Sequence, residues 1–178
     1  SKALHTMNLR PGQFESKPKG APASSSAAPS KPKILENGFT PAESALLHDA
    51  IQLSQMQWFD GEQVIMGKKE QFELSFRSGE SQQARWVVMA FPLYNMNEPS
   101  SAEICLHFLA EAHTMIHVLD FQYQVGINMD TENLEFLMQL PLAGVVASQL
   151  AELIRVFFDA LADSVMKELA EILEEMNQ

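Results

Sequence analysis

At 178 residues, 46% hydrophobic and with a net charge of −11, the chain can bury the core of one domain. So acidic a balance disfavours nucleic acid and anionic membrane surfaces as partners. A single cysteine, Cys105, excludes an internal disulfide, and no apolar run approaches the roughly 20 residues a spanning helix needs.

The charge is unevenly placed. Residues 1–38 hold Lys2, Arg10, Lys17, Lys19, Lys31 and Lys33 against Glu15 and Glu36, a balance of +4, which leaves −15 on the remainder. The run from Ala21 to Ser30 is alanine, proline and serine, with nothing to bury. Residues 1–38 therefore read as a flexible basic Ser/Pro/Ala-rich arm, and residues 39–178 as the folded domain. The opposed charges, with Leu4, Leu9, Phe14, Ile34 and Leu35 as isolated apolar anchors, lead us to expect the arm to dock on the acidic body, its own or a dimer mate's. The N-terminus lacks an apolar h-region, so a cytoplasmic protein is the expectation.

Order begins at Thr40-Pro41-Ala42-Glu43, a capping box with proline at the first helical position. Leu46, Leu47, Ala50, Ile51 and Ser54 mark one face of a helix running to about Trp58, and Asp60-Gly61 ends it. Val64-Ile65-Met66 reads as a strand. Phe72, Leu74 and Phe76 alternate with polar residues as a second, and Ser78-Gly79-Glu80 reads as a hairpin turn. A third strand, Arg85 to Leu93, is apolar on both faces: Trp86, Val88 and Ala90 on one, Val87, Met89, Phe91 and Leu93 on the other. Such a strand is central, or has a partner on its second face.

Asn97-Glu98-Pro99-Ser100 breaks the chain, and Ser100 or Ser101 can cap a second helix carrying Ile104, Phe108, Ala112, Ile116 and Leu119. Phe121 to Ile127 and Leu134 to Leu140 alternate as two strands around the turn Asp130 to Asn133, and Pro141 ends the second. Beyond Gly144, apolar residues from Leu150 to Met176 recur at spacings of three and four, the stripe of one long amphipathic helix. The predicted fold is α+β, a twisted antiparallel sheet packed with helices in the order α-β-β-β-α-β-β-α.

The chemistry-bearing residues form no catalytic pattern. His113 and His117 stand four apart, but the residue after His113 is Thr114 where a zinc protease would need glutamate. The eight glycines build no phosphate cradle, and the carboxylates Asp159, Asp163, Glu171 and Glu175 lie on the polar side of the last helix. No enzyme activity, cofactor or metal is expected. Leu106 and Leu109 fall outside the main stripe of the second helix. With His113 and Ile116 they are the candidate contacts of a homodimer.

The order of elements, and above all the stretch from Val125 to Leu142 with its strand, acidic turn, strand and closing Leu140-Pro141-Leu142, resembles the type III secretion chaperones of the CesT (Tir chaperone) family. The resemblance spans about Thr40 to Gln178; the YbjN-like bacterial proteins, of related fold, are the second choice. It implies a non-catalytic, dimeric chaperone that binds an extended N-terminal segment of a secreted effector and keeps it soluble and secretion-competent. A YbjN-like regulatory or adaptor protein, acting through protein–protein binding, is the alternative. Leu47, Ile51, Phe72, Leu74, Phe76, Trp86 and Val88, from the first helix and first three strands, are the candidate effector contacts.

Overall fold

The computed structural model describes residues 32–118 and 123–177, and for residues 111–118 the helical backbone alone. The docking expected of the arm, the metal spacing at His113 and His117, and the side chains of Ile116 and Leu119 lie outside the described residues. The compact unit Ile34–Gln178 is α+β. Helix α1 (Pro41–Leu53) leads into four strands, β1 (Gln57–Gly61), β2 (Val64–Lys69), β3 (Phe72–Glu80) and β4 (Arg85–Asn95). Helix α2 (Ser101–Val118) follows, then β5 (Gln124–Asn128), β6 (Asn133–Pro141), and α3 (Ala147–Ala160), which runs through a π-turn (Leu161–Val165) into α4 (Met166–Met176). The strands form one six-stranded antiparallel sheet in the order β1-β2-β3-β4-β6-β5.

This is one strand more than the sequence pattern predicts, because the first helix is shorter. It stops at Leu53, Gln55 takes a left-handed φ of 61°, and Gln57–Gly61 pairs with β2. The start is as expected. Thr40 Oγ1 accepts from the Glu43 amide at 3.2 Å, and Glu43 Oε1 accepts from the Thr40 amide at 2.9 Å. Glu43 also holds Arg85 Nε at 2.8 Å, and Arg85 reaches back to the Gly38 carbonyl, so this cap pins α1 to the end of β4. Burial pushes the Glu43 carboxyl up, but the Arg85 hydrogen bond, the Thr40 amide and the Arg85 charge outweigh it and hold Glu43 below its ordinary value.

A second difference concerns Gly79. It lies within β3 rather than in a turn, and the chain reverses at Ser81–Ala84, where the Ser81 amide donates to the Ala84 carbonyl. Gly79 pairs with Trp86, and a Cβ there would run into the indole. Glycine is needed because Trp86 lies flat over it, the cross-strand device that lets an aromatic cover a bare stretch of backbone.

One face of every strand enters a single core with the helices. Ile65, Leu74, Phe76, Val87, Met89, Leu134, Phe136 and Met138 meet Leu47 and Ile51 of α1, Phe108 of α2, and Leu150, Ile154 and Phe157 of α3. Phe136, Tyr123 and Phe157 form a triangle of rings, Phe136 stacked on Tyr123 at 4.8 Å and on Phe157 at 5.2 Å, with Tyr123 tilted against Phe157 at 5.9 Å. Burial pushes the Tyr123 hydroxyl up to about 12, with the Asp159 charge adding to it. Helix α1 packs on α3, and α2 on α4 and β5. The π-turn has a cause in the stripe. Phe157, Leu161, Val165 and Leu169 are all buried, and three successive steps of four over-rotate an ideal helix by about 40° each. The wider i→i+5 winding takes up that rotation and keeps the stripe on the core.

Candidate binding face of the sheet

The strand registers assign the remaining side chains to the opposite face of the sheet. Phe59, Met66, Ser75, Ala90, Leu137 and Gln124 form one row across all six strands, and Val64, Arg77, Val88 and Gln139 lie beside it. The apolar members, Phe59, Val64, Met66, Val88 and Leu137, belong neither to the core nor to the layer packed against it. Ala90 is fully buried, yet it too lies outside the core. Among the described residues no helix contributes to this face. Within the described residues it is a sheet face without a covering layer, built from apolar side chains with a polar centre.

That centre is a paired charge. Arg77 on β3 donates twice to Glu135 on β6, Nη2 to Oε1 at 2.7 Å and Nη1 to Oε2 at 3.1 Å, a bidentate fork. The two strands are not neighbours. The register puts Ala90 of β4 between them, and only a small residue there lets the guanidinium cross. Ser75 Oγ accepts from Arg77 Nη1 at 3.3 Å, and Asn128 Nδ2 donates to Glu135 Oε2 at 3.4 Å. The Glu135 side chain is 5% exposed and that of Arg77 30%, so the pair is half sunk in the sheet. A buried pair of this kind adds little net stability, since desolvation offsets the attraction, but it fixes the position of its charges.

Around the pair lies a groove of about 390 Å³. Its walls come from diagonally opposite corners of the sheet: Glu62 and Gln63 of the β1–β2 turn, and Asp130 and Thr131 of the β5–β6 turn. A right-handed twist makes a sheet saddle-shaped, and along one diagonal both corners rise toward the same face. A second hollow of about 250 Å³ sits on the same face between Trp86, Gln124, Gln139 and Pro141. Exposed apolar side chains stand beyond the groove, Phe59 on the β1 edge at 47% exposure and Met129 in the β5–β6 turn at 82%.

The candidate effector contacts divide between the two faces. Trp86 and Val88 lie on the open face. Leu47, Ile51, Leu74 and Phe76 are fully buried in the core, so they hold the fold and present nothing to a partner. Phe72 faces the helices, tilted on Phe91 at 5.8 Å and edge-on to Phe158 at 5.4 Å. Val64, Met66, Ser75, Arg77, Leu137 and Glu135 were missed as members of this face. The period-two alternation separates the two faces of a strand but does not say which face the helices cover. On α2, Leu106 is 69% exposed and Leu109 41%, while Ile104, Cys105 and Phe108 point into the core.

One other cluster carries the residue types of nucleophilic catalysis. His48 Nε2 lies 2.8 Å from Asp60 Oδ1 and 3.5 Å from Ser44 Oγ, and its ring stacks on Trp58 at 3.5 Å. A relay needs the acid and the serine on different ring nitrogens, and here both face Nε2. Asn37 Nδ2 donates to Ser44 Oγ and Asp60 Oδ1, which completes a clasp fastening β1 to α1. Among the described residues no group of three or more His, Cys, Asp or Glu side chains is placed to hold a metal, and no helix is long and apolar enough to cross a membrane.

No family model matches the sequence, and no curated protein matches it either.

Proposed function

We propose that this protein is a non-catalytic chaperone of the type III secretion kind. It takes up an extended N-terminal segment of a secreted effector on the open face of its sheet and keeps that segment soluble and competent for export. The observation that carries this reading is the open face itself: among the described residues Phe59, Val64, Met66, Val88 and Leu137 stay out of the core, although four helical segments are there to cover them. An extended chain offers alternating side chains at the spacing such a face accepts, and scattered apolar anchors on the client match scattered hollows on the chaperone. The acidic body, with its −15 beyond residue 38, supplies charge that keeps a complex with exposed apolar segments in solution.

The same reading makes the protein a cytoplasmic homodimer. Leu106 and Leu109 stand exposed on α2, and a two-fold pairing of that helix would cover both. Light scattering at micromolar concentration is expected to give twice the monomer mass; a monomer would remove this part of the proposal.

Co-purification tests the function. The tagged full chain, recovered from its native host, is expected to bring down one secreted protein through its N-terminal region. Recovery of a partner that is never exported would instead favour an adaptor of the YbjN-like kind.

A further inference from the structure

The groove at the centre of the open face has a charge of its own, and it selects its occupant. Its titratable lining is Glu62, Glu73, Asp130 and Glu135 against Arg77. Arg77 is already spoken for by the two-pronged contact with Glu135, so its charge does not offset the others. Lys68 is the further cation on this side; it stands 3.8 Å from Glu73, both groups half exposed, a contact too solvated to neutralise that carboxylate. Among the described residues Glu62 and Asp130 form no ion pair, and they mark the two corners of the groove. The floor is narrow and small, Ser75 with the buried methyl of Ala90 beside it, while Phe59 and Met129 stand beyond the two ends.

From this arrangement we infer that the groove binds an extended peptide segment with a cationic centre flanked by apolar side chains. Lysine or arginine side chains of the segment lie toward Glu62, Glu73 and Asp130, and its apolar residues reach Phe59 at one end and Met129 at the other. The inference rests on the open face being the client surface and adds the chemistry of the client. Charge of this kind acts on encounter and selection more than on final affinity, and salt screens it. The apolar ends supply the contact that survives salt. An acidic segment of the same hydrophobicity is rejected, because it would bring like charge onto the three carboxylates.

The experiment uses the full chain and two labelled 20-residue peptides with identical leucine and valine positions, one carrying four central lysines and the other four glutamates. Fluorescence anisotropy at low and at 0.5 M salt gives the affinities. The lysine peptide is expected to bind at least tenfold tighter at low salt, with most of that margin lost at high salt. The triple variant Glu62→Lys, Glu73→Lys, Asp130→Lys is expected to reverse the preference. All three positions are exposed, so the fold is retained and a denaturant melt verifies it. A second triple variant, Glu171→Lys, Glu174→Lys, Glu175→Lys on exposed positions of α4, makes the same change in net charge and is expected to leave the preference within twofold. Equal binding of the two peptides to the unaltered protein, or an equal response to both triple variants, would overturn the inference. The outcomes separate it from the proposed function. A native client captured with no dependence on the groove charges leaves the chaperone standing and the inference wrong. Peptide selection in the absence of any exported client does the reverse.

Discussion

The two faces of the sheet are made from the same strands and differ in almost every physical respect. On the helix side, Phe136, Tyr123 and Phe157 stack, Leu74, Phe76 and Met89 are fully buried, and there is scarcely a polar atom among them. On the open side, residues one step along the same strands are Ser75, Arg77 and Val88, part-exposed, with the buried Ala90 and Glu135, organised around an ion pair. β4 shows the contrast within one strand, since it is apolar on both faces and only the face with Val87, Met89 and Leu93 is covered. Apolar content therefore reports that a surface needs a partner. It does not say whether the partner lies in the same chain.

The comparison can be broken by substitutions on either side. The largest effect is expected on the helix side: Phe136→Ala removes one ring of the three-ring cluster and should cost about 3–5 kcal/mol in a urea melt. At the polar centre of the open face, Glu135→Ala leaves the Arg77 charge half-buried and unpaired, with an expected loss of about 2–3 kcal/mol. The double variant Arg77→Met, Glu135→Met should recover most of it; no recovery would mean that the pair is needed for the fold itself. The cap at the seam of the two layers comes next. Glu43→Gln should cost about 1–2 kcal/mol at neutral pH, through the weakened capping box and the lost Arg85 contact. The sign with pH follows from the lowered Glu43 pKa: the ionic contribution is complete above the ordinary value of 4.5 and is lost as pH falls through the folded-state value. Melts of wild type and variant should thus converge in acid and stay apart above about pH 5. The smallest effect is expected for Val88→Ala on the open face, less than about 1 kcal/mol, because no packed layer is lost there. A cost equal to that of a core valine would mean that the face is covered after all.

Much of the fold is legible in the sequence where local chemistry dictates it. The Thr40–Glu43 box, the alternation of β6 and the stripe of α3 and α4 each rest on residue types at fixed spacing, and the structure has them there, with a π-turn within the expected single helix; β5 pairs only from Gln124, and Phe121 lies outside the described residues. β1 was hidden for a specific reason. The face of α1 reads on through Ser54 to Trp58 with no glycine or proline to stop it, and the left-handed φ that follows the helix falls on Gln55, a side chain that normally avoids it. Gln63, Glu70 and Glu132 make their turns in the same way, without the glycine or asparagine that would announce them. Gly79 misleads in the opposite sense, since the demand it meets comes from Trp86 across the strand pair. The candidate face was legible only in part. Trp86 and Val88 could be read off β4, but Arg77 and Glu135 are 58 positions apart, and nothing local to either announces the other.

The most direct test of the account is a methyl NMR comparison of the two faces in the full chain, with and without its client segment. Methyl groups of Val64, Met66, Val88 and Leu137 are predicted to shift or broaden on binding and to receive saturation from the client. Those of Leu74, Met89, Leu134 and Met138, on the same strands but turned to the helices, should stay within the noise of a control titration. A client that leaves the open-face methyls unmoved, or perturbs Leu106 and Leu109 on α2 in their place, would contradict the assignment of the sheet face as the binding surface.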